Sequence, residues 1–598
     1  MIRTPLRPLA RILSARAKGE NPDAIEHQNR RIRHEQMRDN DRARAEGRLL
    51  VLGVFFFCAF AVVGARMGLL AVSDPVEPRA HAPGSIIANT RADIVDREGR
   101  ILATNLDTHA LFAQPPHMID PEGAAEELVR IFPDLKHERL LKDFTGTRKF
   151  LWIKRKISPE QMQAVHDIGD PGLLFAPRDM RLYPNGKLAA HVMGGASFGR
   201  EGVRAAEVIG VAGVEKYFDT YLRDPANAGK PLALSLDLSV QAAAERVLDG
   251  GMKLMNAKGA TSILMDVHTG EVVSVVSLPS FDPNNRPRAA VEGDPSDSPL
   301  FNRSVQGVYE LGSTFKIFAV AQAMELGLVN ADTMIDTRGP MRVGGHTIGE
   351  FRNKNYGTIS VSQIIEKSSN RGTGRLALMI GKERQQEFLR KLGLFEKSSF
   401  EIIEASGSTP LLPARYTDLS AVTISYGHGI STTAMHLAAG YAAIANGGYA
   451  VKPTLLRQNG AQLGERVMRP EVAAASRAML RDVVVGDDGT ASFAEVPGYF
   501  VAGKTGTADK PRPRGGGYYK DKTITTFASM FPAHDPRYVL IVTLDEPIET
   551  SSGEPRRTAG WTAVPIAAEL IRRVAPLLGM RPAIEPATLA DITLTSSN

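Results

Sequence analysis

The amino-acid sequence predicts a multidomain α+β or α/β protein with a single N-terminal transmembrane helix and, in its second half, an antiparallel sheet flanked by helices. Three observations carry that expectation. The chain has 598 residues, 43% of them apolar, which is too long for one ordinary core and apolar enough to bury more than one. One apolar run, LLVLGVFFFCAFAVVGARMGLLAV from Leu49 to Val72, is broken only by Arg66 and matches the ~20 residues needed to cross a bilayer. Beyond it, strand patterns stand both before and after a long helical middle.

The anchor comes first. A cleaved signal peptide would carry its positive charge in a short region at the extreme N-terminus, whereas here about 48 mostly polar residues precede the apolar run and no clear A-x-A site follows. The tail, 1–48, is rich in arginine, including Arg38, Arg42, Arg44 and Arg48, while the opposite flank SDPVEPRAHAPG is nearly neutral. That asymmetry predicts a cytoplasmic tail, a single pass over 49–72 with Arg66 snorkelling to the far interface, and export of everything after Ser73. The tail is either a docking segment or a topogenic charge cluster. Its arginines alternate with Glu20, Asp23, Glu26, Glu35 and Asp39, so the net charge of +6 does not argue for a nucleic-acid partner. The lone Cys58 lies inside the apolar run, excludes an internal disulfide framework and is assigned no chemistry.

After a Pro-rich spacer, ADIVDREGRILATN reads as a hairpin turning at Glu98-Gly99, and a mixed region runs to about Asn227. PLALSLDLSVQAAAERVLDGG reads as a strand and then a helix with Val240, Ala243 and Val247 on one face. GATSILMDVHTGEVVSVVSLPS reads as two strands joined at Thr269-Gly270. Further strands are expected in GYFVAGKTGTA and TTFASMFPAHDPRYVLIVTLDEP, a flexible loop in PRPRGGGYYKDK, and a closing helix in VPIAAELIRRVAPLLG. The expected organisation is a tail (1–48), an anchor (49–72), an elongated exported unit (73–230), a second unit (231–578) and a frayed C-terminus (579–598).

The chemistry is carried by three separated segments. In YELGSTFKIF, Ser313 and Lys316 stand three residues apart at the start of a predicted helix, where i and i+3 share a face about 5–6 Å apart. The accompanying Phe315, Ile317, Phe318, Val320 and Met324 must be buried, so the ammonium is costly, its pKa falls, and the neutral amine can take the proton of the adjacent hydroxyl. EKSSNRG supplies Ser368 and Asn370, and VAGKTGTA supplies Lys504, Thr505, Gly506 and Thr507. S-x-x-K, S-x-N and K-T-G in this order resemble the set carried by class A β-lactamases and penicillin-binding proteins. In that reading Ser368 relays a proton to the leaving amine, and Asn370 pairs with a peptide backbone. Lys504, Thr505 and Thr507 hold a carboxylate, and Gly506 leaves the strand edge open to substrate. The backbone N–H groups of Ser313 and Thr507 converge on the oxyanion.

Almost the whole exported portion resembles the class B penicillin-binding proteins, the monofunctional peptidoglycan D,D-transpeptidases. RADIVDREGRILA, with Ala92 where glycine is usual, RLYPNGKLAAHVMG and GVAGVEKYFD are similar to the family's pedestal motifs, in which Arg91, Asp96, Arg97, His191 and Glu215 are expected to be scaffold. Leu311 replaces a common proline before Gly312-Ser313, and His428 in YGHG is expected to line the cleft. ISYGHGISTTAMHLAAGYAAIANGG resembles the division-type members more than the elongation-type ones. The resemblance implies a serine β-lactamase-like transpeptidase fold on a dimerisation-type pedestal, a stem peptide ending in D-Ala-D-Ala as substrate, and β-lactams as inhibitors acylating Ser313. It also implies an inner-membrane location with the catalytic domain periplasmic, and septal cell-wall synthesis during cell division. No metal or cofactor is expected. The E-D-x-x-F glycosyltransferase signature is missing before Pro231, so glycan polymerisation is expected from a partner, a SEDS-type glycosyltransferase, among other divisome membrane proteins. An elongation-type transpeptidase, a serine β-lactamase and a membrane β-lactam sensor are the alternatives.

Overall fold

The computed structural model describes residues 7–72, 91–198, 208–227, 229–289, 291–512, 516–551 and 553–583, which form two compact units, 1–87 and 88–598. In the first unit helix α1 (Arg7–Ala17) is followed by α2 (Pro22–Val72), so the polar tail continues without a break into the apolar run. Its Glu46–Ala65 stretch has a mean hydropathy of 2.3, and Phe55, Phe57 and Phe60 project outward, as a helix solvated by lipid tails requires. One described helix is therefore long and apolar enough to cross a membrane. The side chain of Arg66, the spacer after Val72 and the end of the C-terminal tail lie outside the described residues.

The second unit opens with the predicted hairpin, strands β1 (Ile94–Val95) and β2 (Ile101–Ala113). Asp96 closes its turn by accepting from the backbone N–H groups of Glu98 (3.0 Å) and Arg100 (2.8 Å), and Gly99 supplies the left-handed conformation at φ +79°. β2 then pairs antiparallel with β3 (Leu151–Ile157) and β4 (Leu173–Leu182), above a small core around Leu111, Leu128, Phe132 and Phe144. Lower down, Glu215 is fully buried and accepts from Arg91 (2.6 Å), Arg181 (2.7 Å) and the Tyr183 hydroxyl (3.2 Å). A carboxylate removed from water needs such partners. Arg97 pairs with Glu271 at 3.0 Å, and His191 Nε2 shares a 3.1 Å hydrogen bond with the Pro279 carbonyl. These five motif residues therefore tie segments to one another.

β1 also pairs in parallel with β5 (Leu232–Ala233), and one large core runs from Ile94 and Leu102 into Leu264, Val273 and Ile541. That core surrounds an antiparallel sheet of five strands in the order β8 (Ala502–Pro511), β9 (Tyr518–Phe531), β10 (Tyr538–Asp545), β6 (Gly259–Asp266), β7 (Val272–Leu278). β6 and β7 form the predicted hairpin around Gly270 (φ +74°). Every residue of the central β10 is buried, so helices cover both faces. They include α3 (Leu238–Leu254), α4 (Lys316–Glu325), α5 (Asn370–Ile380), the wholly apolar-faced α6 (Ala434–Ala445) and α7 (Ala563–Leu577).

Two expectations change. The buried face of α3 is Val240, Gln241, Ala244 and Leu248, with Ala243 and Val247 only partly covered. The polar Gln241 turns inward because its amide bonds both ways with the backbone of Val275, at 2.9 Å each, and accepts from Ser274. Strand enters the expected loop 511–522 from both ends: Pro511 pairs with Tyr518, and β9 runs on from there because β8 satisfies its backbone, while residues 513–515 lie outside the described residues.

Candidate active site

Ser313 lies in a 3₁₀ turn, Gly312–Phe315, and the α-helix α4 starts only at Lys316. The sequence suggested that both belong to one α-helical turn. In a 3₁₀ turn residues i and i+3 eclipse, so the tighter winding keeps the hydroxyl and the amine on one side. The turn is forced by its neighbours. Gly312 sits at φ +57°, and a Cβ there would fall 2.9 Å from the Thr507 carbonyl oxygen. Tyr441 donates its hydroxyl to the Thr314 carbonyl (2.8 Å), and Phe315, Ile317, Phe318, Val320 and Met324 are buried as expected. Ser313 itself is half-buried, and its hydroxyl makes no hydrogen bond among the described residues.

The two lysines meet on a third side chain. Lys316 Nζ donates to the Ser368 carbonyl and to Ser368 Oγ (3.0 Å), and Lys504 Nζ donates to the same Oγ (3.0 Å) and to the Thr505 carbonyl (3.3 Å). Both lysines are completely buried. Burial pushes Lys316 far below the ordinary lysine range, the charge of Lys504 pushes it further, and Glu350 pulls partly back. Burial alone lowers Lys504 to about 7. Both environments favour the uncharged amine, and at Lys316 the neighbouring Lys504 adds to the effect of burial.

Ser368 is held at φ +60°, a conformation rare outside glycine, by the start of α5. Ser369 caps that helix, accepting from Gly372 N–H (2.9 Å) and donating its hydroxyl to Glu350 (2.6 Å). The buried Glu350 also accepts from the N–H groups of Asn370 (2.8 Å) and Arg371 (3.1 Å), clamping the whole S-x-N segment. Sequence reasoning missed Glu350 because it stands alone in GGHTIGEF, twenty residues upstream of Asn370, with no spacing to mark it. The Asn370 amide is half-used: Nδ2 donates to the Gly349 carbonyl (3.1 Å), which leaves Oδ1 for an incoming N–H.

K-T-G lies on β8, an edge of the sheet, where a peptide can add by backbone pairing. The Thr505 hydroxyl is 2.7 Å from the Thr490 hydroxyl, and Thr507 Oγ1 accepts from the Ala559 N–H (3.0 Å). Gly506 has a different reason from the one its sequence suggested. A Cβ there would meet the Leu311 carbonyl oxygen at 2.2 Å and Thr314 Cγ2 at 2.9 Å, so its bareness admits the Ser313 turn against the strand rather than a substrate. The same approach brings Gly312 against Thr507, whose backbone nitrogen would lie 3.2 Å from a Cβ added at Gly312.

Two family matches cover most of the chain beyond the apolar helix: a penicillin-binding protein transpeptidase domain over residues 260–571, and a penicillin-binding protein dimerisation domain over residues 86–228. The chain belongs to the class B penicillin-binding proteins. It is 32% identical to the probable peptidoglycan D,D-transpeptidase FtsI of Caulobacter vibrioides over 552 residues, covering 91% of this chain and 90% of that one. It is 29% identical to the penicillin-binding protein PbpB of Mycolicibacterium smegmatis, covering 88% and 89%, and 28% identical to the peptidoglycan D,D-transpeptidase FtsI of Escherichia coli, covering 77% and 80%.

Proposed function

We propose that this chain is a septal-type peptidoglycan D,D-transpeptidase working through an acyl-enzyme on Ser313. The observation that carries the assignment of roles is the single Ser368 hydroxyl that receives hydrogen bonds from both Lys316 and Lys504, which gathers the three motif segments into one buried cleft. Neutral Lys316 takes the Ser313 proton as Oγ attacks the carbonyl of the penultimate D-Ala. The N–H groups of Ser313 and Thr507 take the oxyanion, an effect worth about 2.7–4 kcal/mol per donor in comparable sites. The proton passes through Ser368 to the departing D-Ala amine. Charged Lys504, with the hydroxyls of Thr505 and Thr507, holds the terminal carboxylate, and Asn370 Oδ1 pairs with the donor backbone. The acyl group then moves to the side-chain amine of a neighbouring stem, and Ser313 is released.

In the same reading 73–230 is the pedestal and 231–578 the catalytic domain, with the arginine-rich tail cytoplasmic and the rest periplasmic, the orientation that the charge asymmetry supports. A SEDS-type glycosyltransferase and other divisome membrane proteins supply the glycan strands and the placement. β-Lactams mimic the donor terminus. Intact-mass measurement after incubation with a penicillin should show one stable adduct, mapped by peptide digestion to Ser313. Its loss in Ser313→Ala and near-loss in Lys316→Ala are expected, whereas normal labelling of Lys316→Ala would remove the proposed general base.

A further inference from the structure

Beside the Ser313 turn lies negative charge that the donor reaction leaves unused. Glu310 lies three residues before Ser313 and is only 8% exposed. Its Oε1 accepts from the Gly429 N–H (2.9 Å) and the Tyr518 hydroxyl (3.0 Å), while Oε2 is buried and meets no donor among the described residues. Glu310 and Asp509 line one cavity of about 280 Å³, along with Tyr309, whose hydroxyl is also buried without a partner among the described residues. A carboxylate oxygen held at depth with nothing to accept from is costly unless a donor arrives from outside.

The nearby cations do not fill that role. Lys510, on the same cavity wall, is engaged by Asp545 and Glu546 at 2.7 Å each, and Lys258 by Asp294 (3.0 Å) and Asp297 (2.8 Å). His428 packs between Tyr426 and Tyr518, tilted to the first and edge-on to the second at ring separations of 5.4 and 6.4 Å, with its Nδ1 buried and without a partner among the described residues. Asp509 stands two residues past Thr507, about 7 Å along the strand. The Gly312 N–H donates to Gly427 (3.2 Å), two residues from Gly429, which binds Glu310. Glu310 and the nucleophile thus hang on the same backbone clamp.

We propose that Glu310 and Asp509, flanked by His428, form the subsite that receives the ammonium-bearing side chain of the acyl acceptor. The proposal rests on the transpeptidase reading and adds where the second substrate enters. A primary ammonium supplies the donors that Glu310 Oε2 lacks, and two carboxylates raise its local concentration at the cleft. It gives one proton to water. The amine lone pair then forms the C–N bond to the acyl carbon as the C–O bond to Ser313 breaks, and the amine's surplus proton passes through Lys316 to Ser313 Oγ.

The test uses the full-length protein, a thioester donor that acylates Ser313, and a tripeptide with a free side-chain amine as acceptor. Mass spectrometry reads the ratio of amide to hydrolysed acid. Both products come from one acyl-enzyme, so a defect in folding or acylation cancels. Glu310→Gln keeps an oxygen for Gly429 and Tyr518 but removes the charge. This variant and Asp509→Asn should each lower the ratio about fivefold, and Asp509→Glu should restore it. With hydroxylamine, uncharged near neutrality, the ratio should not move. An unchanged tripeptide ratio, or an equal fall with hydroxylamine, overturns the acceptor subsite while leaving the transpeptidase reading intact. A wild-type protein that forms neither product sinks both.

Discussion

Replacing Gly506 by alanine tests whether the position of Ser313 is set by the strand behind it. The added Cβ would stand 2.2 Å from the Leu311 carbonyl oxygen, where ordinary contact begins at 3.4 Å, and 3.3 Å from the Thr314 backbone nitrogen. The obstacle is backbone and cannot swing away as a side chain would. β8 is fixed by its ladder to β9, where Gly506 sits opposite Thr526, so the Ser313 turn must give way by about 1 Å. Overpacking of this kind costs about 1–3 kcal/mol in stability. A displacement of about 1 Å at a reacting atom costs about a hundredfold in rate. Acylation of Gly506→Ala by a fluorescent penicillin, followed by stopped flow, should therefore slow by about two orders of magnitude, out of proportion to a thermal midpoint lowered by only a few degrees. Wild-type acylation in a folded variant would refute the idea that K-T-G positions the nucleophile through this contact.

Four further outcomes follow from contacts described above. Lys504, lowered to about 7, loses its charge as pH rises, so acylation efficiency with a carboxylate-bearing β-lactam should decline above about pH 7, and that limb should vanish in Lys504→Arg. Because this lysine ordinarily titrates at 10.5, the unfolded chain holds the extra proton between about pH 7 and 10.5. Stability should rise with pH across that window, and thermal unfolding of Lys504→Met should show a smaller rise. Glu350→Gln sets an amide donor against the backbone donors of the S-x-N segment; a loss of about 1–3 kcal/mol in denaturant unfolding, with slower penicillin labelling, is expected. Arg91→Ala leaves buried Glu215 with Arg181 as its one cation beside the Tyr183 hydroxyl and should cost about 3 kcal/mol while the rate of labelling per folded molecule is unchanged.

Much of this was legible in the chain because the signals are local. The hairpins at Gly99 and Gly270 follow from turn residues between alternating runs, and the anchor from length and apolarity. The three motif segments announced themselves by spacing, but the meeting of Lys316 and Lys504 on the Ser368 hydroxyl shows only in the structure. What escaped is non-local. Gln241 turns inward only because Val275 waits across the sheet, Glu350 matters only once α5 begins beside it, and the reason for Gly506 is Leu311, nearly two hundred residues away in sequence. The start of α4 was misplaced because the Gly312 turn is dictated by the Thr507 backbone rather than by helix propensity.

The parallel pairing of β1 with β5 has a practical corollary for anyone dissecting the molecule. Ile94 and Leu102 are sealed inside the same apolar mass as Val273 and Ile541, so excising the chain at Pro231 would strip a wall from the catalytic half rather than sever a tether. The fragment would start life with greasy surface open to water and a β5 backbone robbed of its neighbour, a recipe for clumping. A soluble version should retain everything from Arg91 onward, and its melting should register as one event for the base and the sheet together.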